Sequence, residues 1–508
     1  MTKPVFNPYL PQWEYIPDGE PYVFGERLYV FGSHDRFDGD RYCANDYVSW
    51  SAPLDDLSDW RYDGVIYRAT QDPHNADGAM RLFAPDVARG PDGRYYLYYA
   101  LSARNAVSVA VSDTPNGRYT FLSDICHADG TVSGEKPGDC FQFDPGVLVD
   151  DDGKIYLYTG FSPDGALLAS LQQRFGARVS GEGSSVIELE PDMKTVKTPC
   201  KPLIPGWQNA RGSGFEGHEF FEASSIRKFG GDYYFVYSSL RRHELCYATS
   251  RYPDRDFSYR GVLHSNADAA GMPTGDMAGT PDGDHGAVPG AKYYWGNNHG
   301  SIVEIHGAYF IFGHRQTNTH EFSRQGVAEK LSKDGNGGFS QAEMTSCGLN
   351  GAPLAGKGRY GAGIACNLQS AKGPCTMAAA SKESHPFITQ NAPDYDPDAP
   401  DCGGLHDAPW QYIRNLRDGS AAGFKYFAIE TVRALHVELR GNAHGELVCR
   451  FTRKGERGAE AAVPIAVSAS EGDWQTFSAE TAVSGGVYEL SFTYQGTGSV
   501  DFRSFTLE

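Results

Sequence analysis

The chain has 508 residues, more than one compact core usually holds, so we expect two or more domains. Its formal net charge of −19 at pH 7 argues against nucleic acid or an anionic membrane surface as a partner, and no stretch of the sequence is long and apolar enough to span a bilayer. Aromatic residues make up 13% of the chain and glycine occurs 60 times, a mixture that favours twisted β-sheet with tight turns over helix bundles.

The first twenty residues and the cysteines bear on the compartment. Residues 1–20 contain no apolar segment followed by small cleavage-site residues, so they do not read as a secretory signal. The 10 cysteines are scattered and include no Cys-x-x-Cys pair, which is typical of reduced thiols and not of a zinc cluster. These features predict a cytoplasmic protein. A chain from which a secretory signal had been removed would show the same features.

Five short aromatic segments recur between residue 1 and about residue 345, and each follows an ionisable residue by 10 to 12 positions. The second residues of these segments are Tyr29, Tyr96, Tyr156, Tyr234 and Phe310. The ionisable residues before them are Asp18, Asp86, Asp144, Glu222 and His299. A β-rich repeat of this length, with glycine turns before most copies, is typical of small sheets arranged radially. Residues at the same place in each sheet would then meet near one axis.

The rest of the sequence divides into three parts. Residues 346–380 are rich in glycine and alanine and are expected to complete the last blade, so that the propeller would cover residues 1–380. Residues 381–409 contain five prolines and several acids and read as an extended linker. Residues 410–508 contain short alternating segments at the spacing of a β-sandwich. The predicted fold class is all-β: a five-bladed β-propeller followed by a β-sandwich of the jelly-roll kind.

Two of the five ionisable residues lie in strongly apolar stretches. Asp144 follows Phe143, and Glu222 follows Phe220 and Phe221. A carboxyl group among aromatic rings should have its pKa raised by desolvation, and a general acid requires such a shift. Glu222 is therefore the strongest candidate for a proton donor.

Asp18 and His299 also have simpler interpretations. Asp18 lies in a Pro-Asp-Gly sequence and would serve equally as a turn residue, and a single histidine is more often structural. The combination of residues is more specific than any member. Hydrolysis of a glycosidic bond needs one carboxylic acid that protonates the leaving oxygen and one carboxylate on the opposite side. Blades that meet around one axis would supply such separated carboxylates.

Five motifs, in order over residues 7–325, resemble those of glycoside hydrolase family 43, the five-bladed propeller enzymes that act on arabinose-, xylose- and galactose-containing glycans. The motifs are IPDGEPYVFG, FAPDV, FDPGVLVDDDG, FEASSIRK and NNHGS followed by HRQTN. The resemblance implies that Asp18 is the general base that activates water and that Glu222 is the general acid. It also implies that Asp144 raises the pKa of the acid and orients it, and that the reaction inverts the anomeric centre.

The same resemblance suggests further residues around the sugar. His299 resembles an axial histidine that in many relatives holds a calcium ion, mostly through water. Asp86, which is near Phe83 in the sequence, and Arg315 resemble residues beside the sugar, and Arg315 would also suit a strand-end salt bridge. The family's first motif often reads Asp-Pro-Ser, whereas this chain has Glu20 at its third position. Glu20 is therefore the alternative base.

The C-terminal segment resembles carbohydrate-binding module family 6 in the stretches AAGFKYFAIETV and GVYELSFTYQGTGSVDFRSFTLE. Sugar-binding modules of this kind present exposed aromatic rings to the faces of sugars. The candidate ring here belongs to Trp474, whose Gly-Asp-Trp context favours a core position. A purely structural sandwich is the first expectation and a binding module the second.

The resemblance predicts an exo-acting, inverting glycosidase that removes terminal furanose or pentose units from oligosaccharides or polysaccharide side chains. An α-L-arabinofuranosidase is the first expectation, followed by a β-D-galactofuranosidase or a β-xylosidase, because all three need the same acid and base. A non-catalytic carbohydrate-binding propeller is the alternative from another class. It would not require a proton donor buried among aromatic rings.

Overall fold

The computed structural model describes residues 6–269, 288, 290–392, 394–395 and 408–508. Most of the Gly- and His-rich sequence at 275–294, and the proline-rich part of the predicted linker, lie outside these ranges. Within the described ranges, no helix is long and apolar enough to cross a membrane.

The first part of the chain folds into five antiparallel sheets of four strands each, which are the five blades of a β-propeller. Blade one contains β1 (Glu20–Phe24), β2 (Arg27–Phe31), β3 (Tyr47–Pro53) and β4 (Arg61–Tyr67). Blade two contains β5 (Asp86–Arg89), β6 (Tyr95–Ala100), β7 (Val107–Ser112) and β8 (Thr120–Asp124). Blade three contains β9 (Gly146–Val149), β10 (Ile155–Thr159), β11 (Gly183–Leu189) and β12 (Lys201–Pro205).

The last two blades follow the same order. Blade four contains β13 (Phe220–Phe229), β14 (Asp232–Ser239), β15 (Leu245–Ser250) and β16 (Ser258–His264). Blade five contains β17 (Ile302–Ile305), β18 (Ala308–Arg315), β19 (Gln325–Lys333) and β20 (Phe339–Ser340). The first strand of each blade contacts the first strand of a neighbour, as β5 and β13 both contact β9 and β1 contacts β17. The five recurring aromatic segments are the second strands of the blades, which confirms the predicted repeat.

The hydrophobic cores lie between neighbouring blades. Tyr158 of blade three, for example, packs edge-on against Phe235 of blade four, with ring centroids 5.7 Å apart. Phe312 of blade five shares a buried cluster with Trp50 of blade one, so the last blade packs directly on the first. Aromatic side chains are wide enough to fill the wedge between twisted sheets, which explains why the repeat is aromatic.

The second part of the chain is one further sheet of eight strands that curls into a sandwich. Its strands are β21 (Leu354–Ala355), β22 (Gly358–Gly361), β23 (Asn367–Gln369), β24 (Phe387–Gln390), β25 (Gln411–Leu416), β26 (Ala421–Arg453), β27 (Ala461–Ala469) and β28 (Gln475–Leu507). The two longest strands bend back on each other, so that Leu435 of β26 pairs with both Ala479 and Leu507 of β28. The enclosed core is rich in phenylalanine, including Phe424 and Phe502.

The boundary between the two parts differs from the prediction. Residues 354–369 form β21–β23 of the second sheet and do not complete blade five, which closes with β20. Residues 387–390, predicted as linker, form β24 and pair with β25. These strands are only two to four residues long, too short to show an alternating pattern, and they exist because the long strands β26 and β28 offer them hydrogen-bonding edges.

Helix is scarce in the described ranges. The helix α1 (Gly165–Phe175) is inserted between β10 and β11 of blade three. Its apolar residues Leu167, Leu171 and Phe175 recur every four positions and therefore share one face. Short 3-10 helices occur at Ala69–Gln71, Pro73–Asn75, Gly176–Arg178, Gly348–Asn350, Ala362–Ile364 and Met377–Ala379.

Candidate active site

A cavity of about 350 Å³ lies where the first strands of the blades begin, at one end of the propeller axis. Four of the predicted residues for chemistry or metal binding line it together with the predicted Phe83: Asp18, Asp144, Glu222 and His299. These four come from blades one, three, four and five, which confirms the expectation that matched positions meet near one axis. The remaining wall is largely aromatic and includes Phe143 and Phe161.

The backbone is in a left-handed conformation at three positions of this site. The φ angles are 58° at Asp18, 44° at Asp144 and 69° at Ala223, the residue after the candidate acid. Aspartate visits this region more readily than most residues, but alanine does so at a cost. Such strain persists where surrounding structure over-determines it and is common at functional sites.

Glu222 lies on an irregular part of strand β13. The pairing of β13 with β14 shifts register on both sides of it, between Phe220 and Glu222 and again between Glu222 and Ser225. A β-bulge of this kind re-aims a side chain that a regular strand would direct elsewhere. The bulge therefore allows the Glu222 carboxyl to line the cavity.

Asp18 has the environment of an ionised carboxylate. Ser33 donates a hydrogen bond from Oγ to Asp18 Oδ2 at 2.5 Å, and Arg324 donates from Nη1 to Asp18 Oδ1 at 3.2 Å. Burial alone would raise the pKa of Asp18, but the nearby Arg324 and His314 and the hydrogen bond from Ser33 hold it below its usual value. Asp18 is therefore charged at neutral pH.

Asp144 and Glu222 show the opposite behaviour. The backbone N–H of Ala223 donates to Asp144 Oδ2 at 3.2 Å, and His299 Nδ1 lies 3.7 Å from the same oxygen. Burial and the charge of Asp18 nevertheless raise the pKa of Asp144 to about 7. Burial, followed by repulsion from Asp144, raises the pKa of Glu222 well above its usual value. The raised pKa of Glu222 favours the protonated form, which a proton donor requires.

Asp86 does not line the cavity, contrary to the prediction of a residue beside the sugar. It is fully buried and accepts hydrogen bonds from Tyr22 Oη at 2.6 Å and from the backbone N–H of Val147 at 2.7 Å. It also accepts from the N–H of Val87 at 2.8 Å. Its oxygens are occupied in joining blades one, two and three, because strand β5 continues regularly from Asp86 and directs the side chain into the blade junction.

Arg315 also lies away from the cavity, where the prediction had placed it beside the sugar. Its guanidinium is buried and donates to the backbone oxygens of Gly363 and Ala365, at 2.8 and 3.0 Å. These carbonyls belong to the segment that joins the C-terminal sheet, so Arg315 fastens the two parts of the protein together. Two other arginines, Arg104 and Arg324, line the cavity, and Arg324 also binds Asp35 through Nε at 2.8 Å.

Arg324, Ser33 and His314 are therefore site residues that the sequence analysis missed. Arg324 and Ser33 lie in loops beside blades five and one, and His314 lies near the end of β18. None occupies a position that recurs from blade to blade. The sequence feature that could have indicated Arg324 is its position just after the HRQTN motif. That motif itself contains Arg315, which was predicted instead.

Glu20, the alternative base, does not line the cavity. Arg227 donates to Glu20 Oε2 from Nη2 at 2.6 Å, and Ser225 Oγ donates to the same oxygen at 3.0 Å. The other oxygen, Oε1, lies 3.6 Å from His299 Nε2. Both of these facing atoms are buried and have no hydrogen-bond partner among the described residues. The axis therefore has two orphaned polar atoms that a water or a hydrated cation would satisfy.

The outer wall of the cavity comes from two insertions. Tyr42 and Cys43 belong to the long segment at residues 32–46, which joins β2 to β3. Leu167 and Leu171 belong to the apolar face of α1. These insertions, together with the phenylalanines, make the wall apolar around a charged floor, a combination common in small-molecule sites.

Comparison with known proteins agrees with this geometry. Residues 2–338 match the family described as glycosyl hydrolases family 43. The whole chain is 48% identical over 511 residues to a xylosidase/arabinosidase from Thermoclostridium stercorarium, covering 100% of this chain and 99% of that relative. A xylosidase/arabinosidase from Bacteroides ovatus is 30% identical over 50% of this chain and 80% of its own length.

A solved structure shares the fold. The crystal structure of the GH43_1 enzyme from Xanthomonas citri complexed with xylose is 23% identical, with a TM-score of 0.50. The match covers 69% of this chain and 95% of that enzyme, which corresponds to the propeller without most of the C-terminal sheet. At this identity the likeness supports the fold alone.

Proposed function

The chain belongs to glycosyl hydrolases family 43, and from that premise we propose that it is an exo-acting, inverting glycosidase that releases terminal pentose or furanose units from oligosaccharides or polysaccharide side chains. The observation that carries this proposal is the meeting of Asp18, Asp144 and Glu222 in one cavity, where the pKa of Asp18 is lowered and that of Glu222 is raised. Hydrolysis with inversion needs an ionised base and a protonated acid, the states that these shifts favour.

The proposed reaction is a single displacement. The Asp18 carboxylate takes one proton from water while the water oxygen forms the new bond to the anomeric carbon. The glycosidic C–O bond breaks at the same time, and the proton of Glu222 passes to the leaving oxygen. Asp144 keeps Glu222 protonated before the reaction, because its carboxyl adds to the electrostatic cost of ionising Glu222.

The substrate proposed first is a terminal α-L-arabinofuranosyl unit, and a terminal β-D-xylosyl unit is second. The relatives named xylosidase/arabinosidase support both, and the 48% relative spans the whole chain. A cavity of about 350 Å³ with apolar outer walls supports removal of single end units and not cleavage inside a chain. A β-D-galactofuranosyl unit is third, since no observed feature favours it.

A calcium ion at the axis is part of the proposal. The orphaned His299 Nε2 and Glu20 Oε1 are the atoms that would face such an ion, with water completing the oxygen-rich shell that calcium prefers. The ion would supply positive charge close to the carboxylates of the cavity. Arg227 already supplies positive charge to Glu20, so we expect the ion to adjust the site and not to create it.

For the C-terminal sheet we propose a structural role. The ring of Trp474 is covered by Arg440, whose guanidinium carbon lies 4.5 Å from the ring centroid. The ring of Trp410 is covered by Arg503 at 4.0 Å. A sugar would have to displace these cations to reach the faces of the rings. The buried ion pair of Lys425 with Asp268, at 2.6 Å, fixes this sheet to the propeller.

A panel of aryl α-L-arabinofuranoside, β-D-xyloside and β-D-galactofuranoside substrates tests the proposal. We expect turnover of the first or second, with proton NMR showing the inverted anomer first, and loss of turnover in Glu222→Gln. Release of the retained anomer would overturn the mechanism. Absence of hydrolysis of all three, with sugar binding intact, would instead favour a non-catalytic carbohydrate-binding propeller.

A further inference from the structure

A second cluster of chemically reactive side chains lies in blade four, outside the cavity. His218, Glu244 and Cys246 each direct one potential ligand atom to a common point, and these atoms all lie within 4.8 Å of one another. All three residues are buried, with relative exposures of 8%, 4% and 0%. The proposed hydrolytic reaction uses none of them.

Within the cluster, His218 and Cys246 are within hydrogen-bonding distance for sulfur, whereas His218 and Glu244 are too far apart for a direct hydrogen bond. His218 Nδ1 lies 3.8 Å from Cys246 Sγ and 3.8 Å from Glu244 Oε2. A nitrogen–oxygen hydrogen bond would bring the second pair to about 2.9 Å. Tetrahedral zinc, with bonds of roughly 2.0–2.3 Å, holds its nitrogen, oxygen and sulfur ligands roughly 3.4–3.6 Å apart. The two His218 distances need to shorten by only a few tenths of an ångström to reach that geometry, and the Glu244 and Cys246 ligand atoms lie within 4.8 Å of each other.

Neighbouring groups hold the ligands in place. Arg242 Nη1 lies 3.6 Å from Glu244 Oε1, so the other oxygen, Oε2, is left facing His218. The ring of Tyr259 stacks on the His218 imidazole with centroids 4.5 Å apart and fixes its plane. Partners of this kind, which orient the ligands, are a regular feature of metal sites.

A further buried carboxylate oxygen belongs to the residue next to His218 in the sequence. Glu219, the residue after His218, has a buried carboxylate oxygen, Oε2, without a hydrogen-bond partner among the described residues. Its charge acts on both His218 and Tyr237. A buried carboxylate oxygen without a partner is costly unless water or a cation satisfies it.

Zinc binds the thiolate form of cysteine, so binding at Cys246 is expected to release a proton to solvent.

We propose that His218 Nδ1, Glu244 Oε2 and Cys246 Sγ bind one zinc ion, with water at the fourth position. Thiolate, imidazole and carboxylate together are a donor set that zinc favours and that calcium or magnesium does not. Zinc–sulfur, zinc–nitrogen and zinc–oxygen bonds form, the thiol proton passes to solvent, and nothing is oxidised or reduced.

The position of the site suggests what the zinc would do. His218 lies just before β13, the strand that carries Glu222, and Cys246 lies in β15. The metal would therefore tie the entrance of β13 to β15, two strands away in the same blade. We expect it to stabilise blade four and to take no part in bond cleavage.

Cobalt provides the direct test. Untagged full-length protein is stripped with a chelator, dialysed and titrated with Co²⁺ and then with Zn²⁺. We expect one equivalent of Co²⁺ to give a thiolate-to-cobalt charge-transfer band and tetrahedral visible bands, which Zn²⁺ then removes. We also expect Zn²⁺ to raise the Tm and to release acid. The absence of the charge-transfer band would overturn the proposal.

Two variants locate the site. Cys246→Ser should abolish the charge-transfer band, whereas Cys449→Ser, a fully buried cysteine of the C-terminal sheet, should retain it. A band that persists in Cys246→Ser would overturn the assignment. If Cys246→Ser does not fold, His218→Gln replaces it, with the loss of one-equivalent binding as readout. Glu222→Gln should bind zinc as the wild type does, so failure of the proposed function leaves this result unaffected.

Discussion

Blades two and four present an acid at the same point of the repeat, yet the two acids have different surroundings. Asp86 begins a regular strand, and its oxygens accept three hydrogen bonds from neighbouring groups. Glu222 lies on a bulge and lines the cavity beside Asp144. Burial raises the pKa of both carboxyls, so the shift alone does not separate the structural acid from the chemical one.

This difference shows two separate determinants. The repeat places an acidic residue near the propeller axis, and the local backbone conformation determines what that residue contacts. On a regular strand the carboxyl group accepts hydrogen bonds from neighbouring groups and thereby links the blades. A bulge delivers it to the cavity, where a substrate would be its partner. The following experiments test this distinction, in order of decreasing expected effect.

The largest effect is expected from the acids of the cavity. Glu222→Gln removes the transferable proton and Asp18→Asn removes the base, so each should lower kcat by about 10²- to 10⁴-fold on an unactivated glycoside. Glu222→Gln keeps the volume and removes no ion pair, so its Tm should change little, whereas Asp18→Asn removes the charge paired with the buried Arg324 and should lower the Tm. The measurement is steady-state kinetics beside thermal unfolding. Near-normal kcat in either variant would contradict the assignment.

Asp86→Ala should instead affect stability. It leaves the Tyr22 hydroxyl and two backbone N–H groups without their buried acceptor, at a cost of about 1–3 kcal/mol for each unsatisfied group. Urea unfolding measures the loss, and kcat of the folded protein should stay within a few-fold of wild type. A large fall in kcat with unchanged stability would show that Asp86 takes part in the reaction and would contradict the distinction between the two acids.

The two arginines of blade five form a matched pair. Arg324→Gln removes the charge beside Asp18, so the pKa of Asp18 should rise and the acidic limb of the pH profile should move to higher pH. Arg324→Lys should restore part of the shift, since it keeps the charge. Arg315→Gln should lower the Tm without moving that limb, because its contacts are to Gly363 and Ala365.

The pH profile of the wild type should be broad. Activity should fall at low pH as Asp18, with its lowered pKa, takes up a proton. It should fall at high pH as Glu222, whose pKa is raised well above its usual value, loses its proton. The check is kcat/KM against pH, with Glu222→Gln as control: its residual activity should lack the alkaline limb. A profile confined to acidic pH would contradict the raised pKa of Glu222.

The smallest effect is expected from calcium. Chelation should change kcat by only a few-fold, since Arg227 already neutralises Glu20. Activity with a chelator and after readdition of Ca²⁺ measures this, and Mg²⁺ is the control ion. Complete loss of activity on chelation would show that the ion is essential.

Much of the fold followed from the sequence because aromatic strands repeat in every blade and each needs a wide side chain at the blade interface. The catalytic candidates followed because Asp18, Asp144 and Glu222 share one register. Arg324 did not follow, because it has no counterpart in other blades. The role of Asp86 did not follow either, since its partners Tyr22 and Val147 lie in other blades and are distant in sequence.

The end of the propeller was misplaced for a different reason. The strands β21–β24 have two to four residues each and acquire their structure by adding to β25, β26 and β28. The amino-acid composition of a short strand is a poor indicator of its structure when that structure depends on pairing with strands distant in the sequence. The bulge at Glu222 was equally invisible, since it depends on how β13 and β14 pair.

The contact between Asp18 and Arg324 joins residues 306 positions apart, at the two ends of the ring. During synthesis the base therefore lacks its guanidinium partner until the fifth blade has left the ribosome and docked on the first. Contacts between residues so far apart in the sequence form late. The chain between them must lose conformational entropy before the contact contributes stabilising free energy. Hydrolytic activity would thus require a complete ring. A chain truncated within blade five should be inactive even if its first four blades are folded.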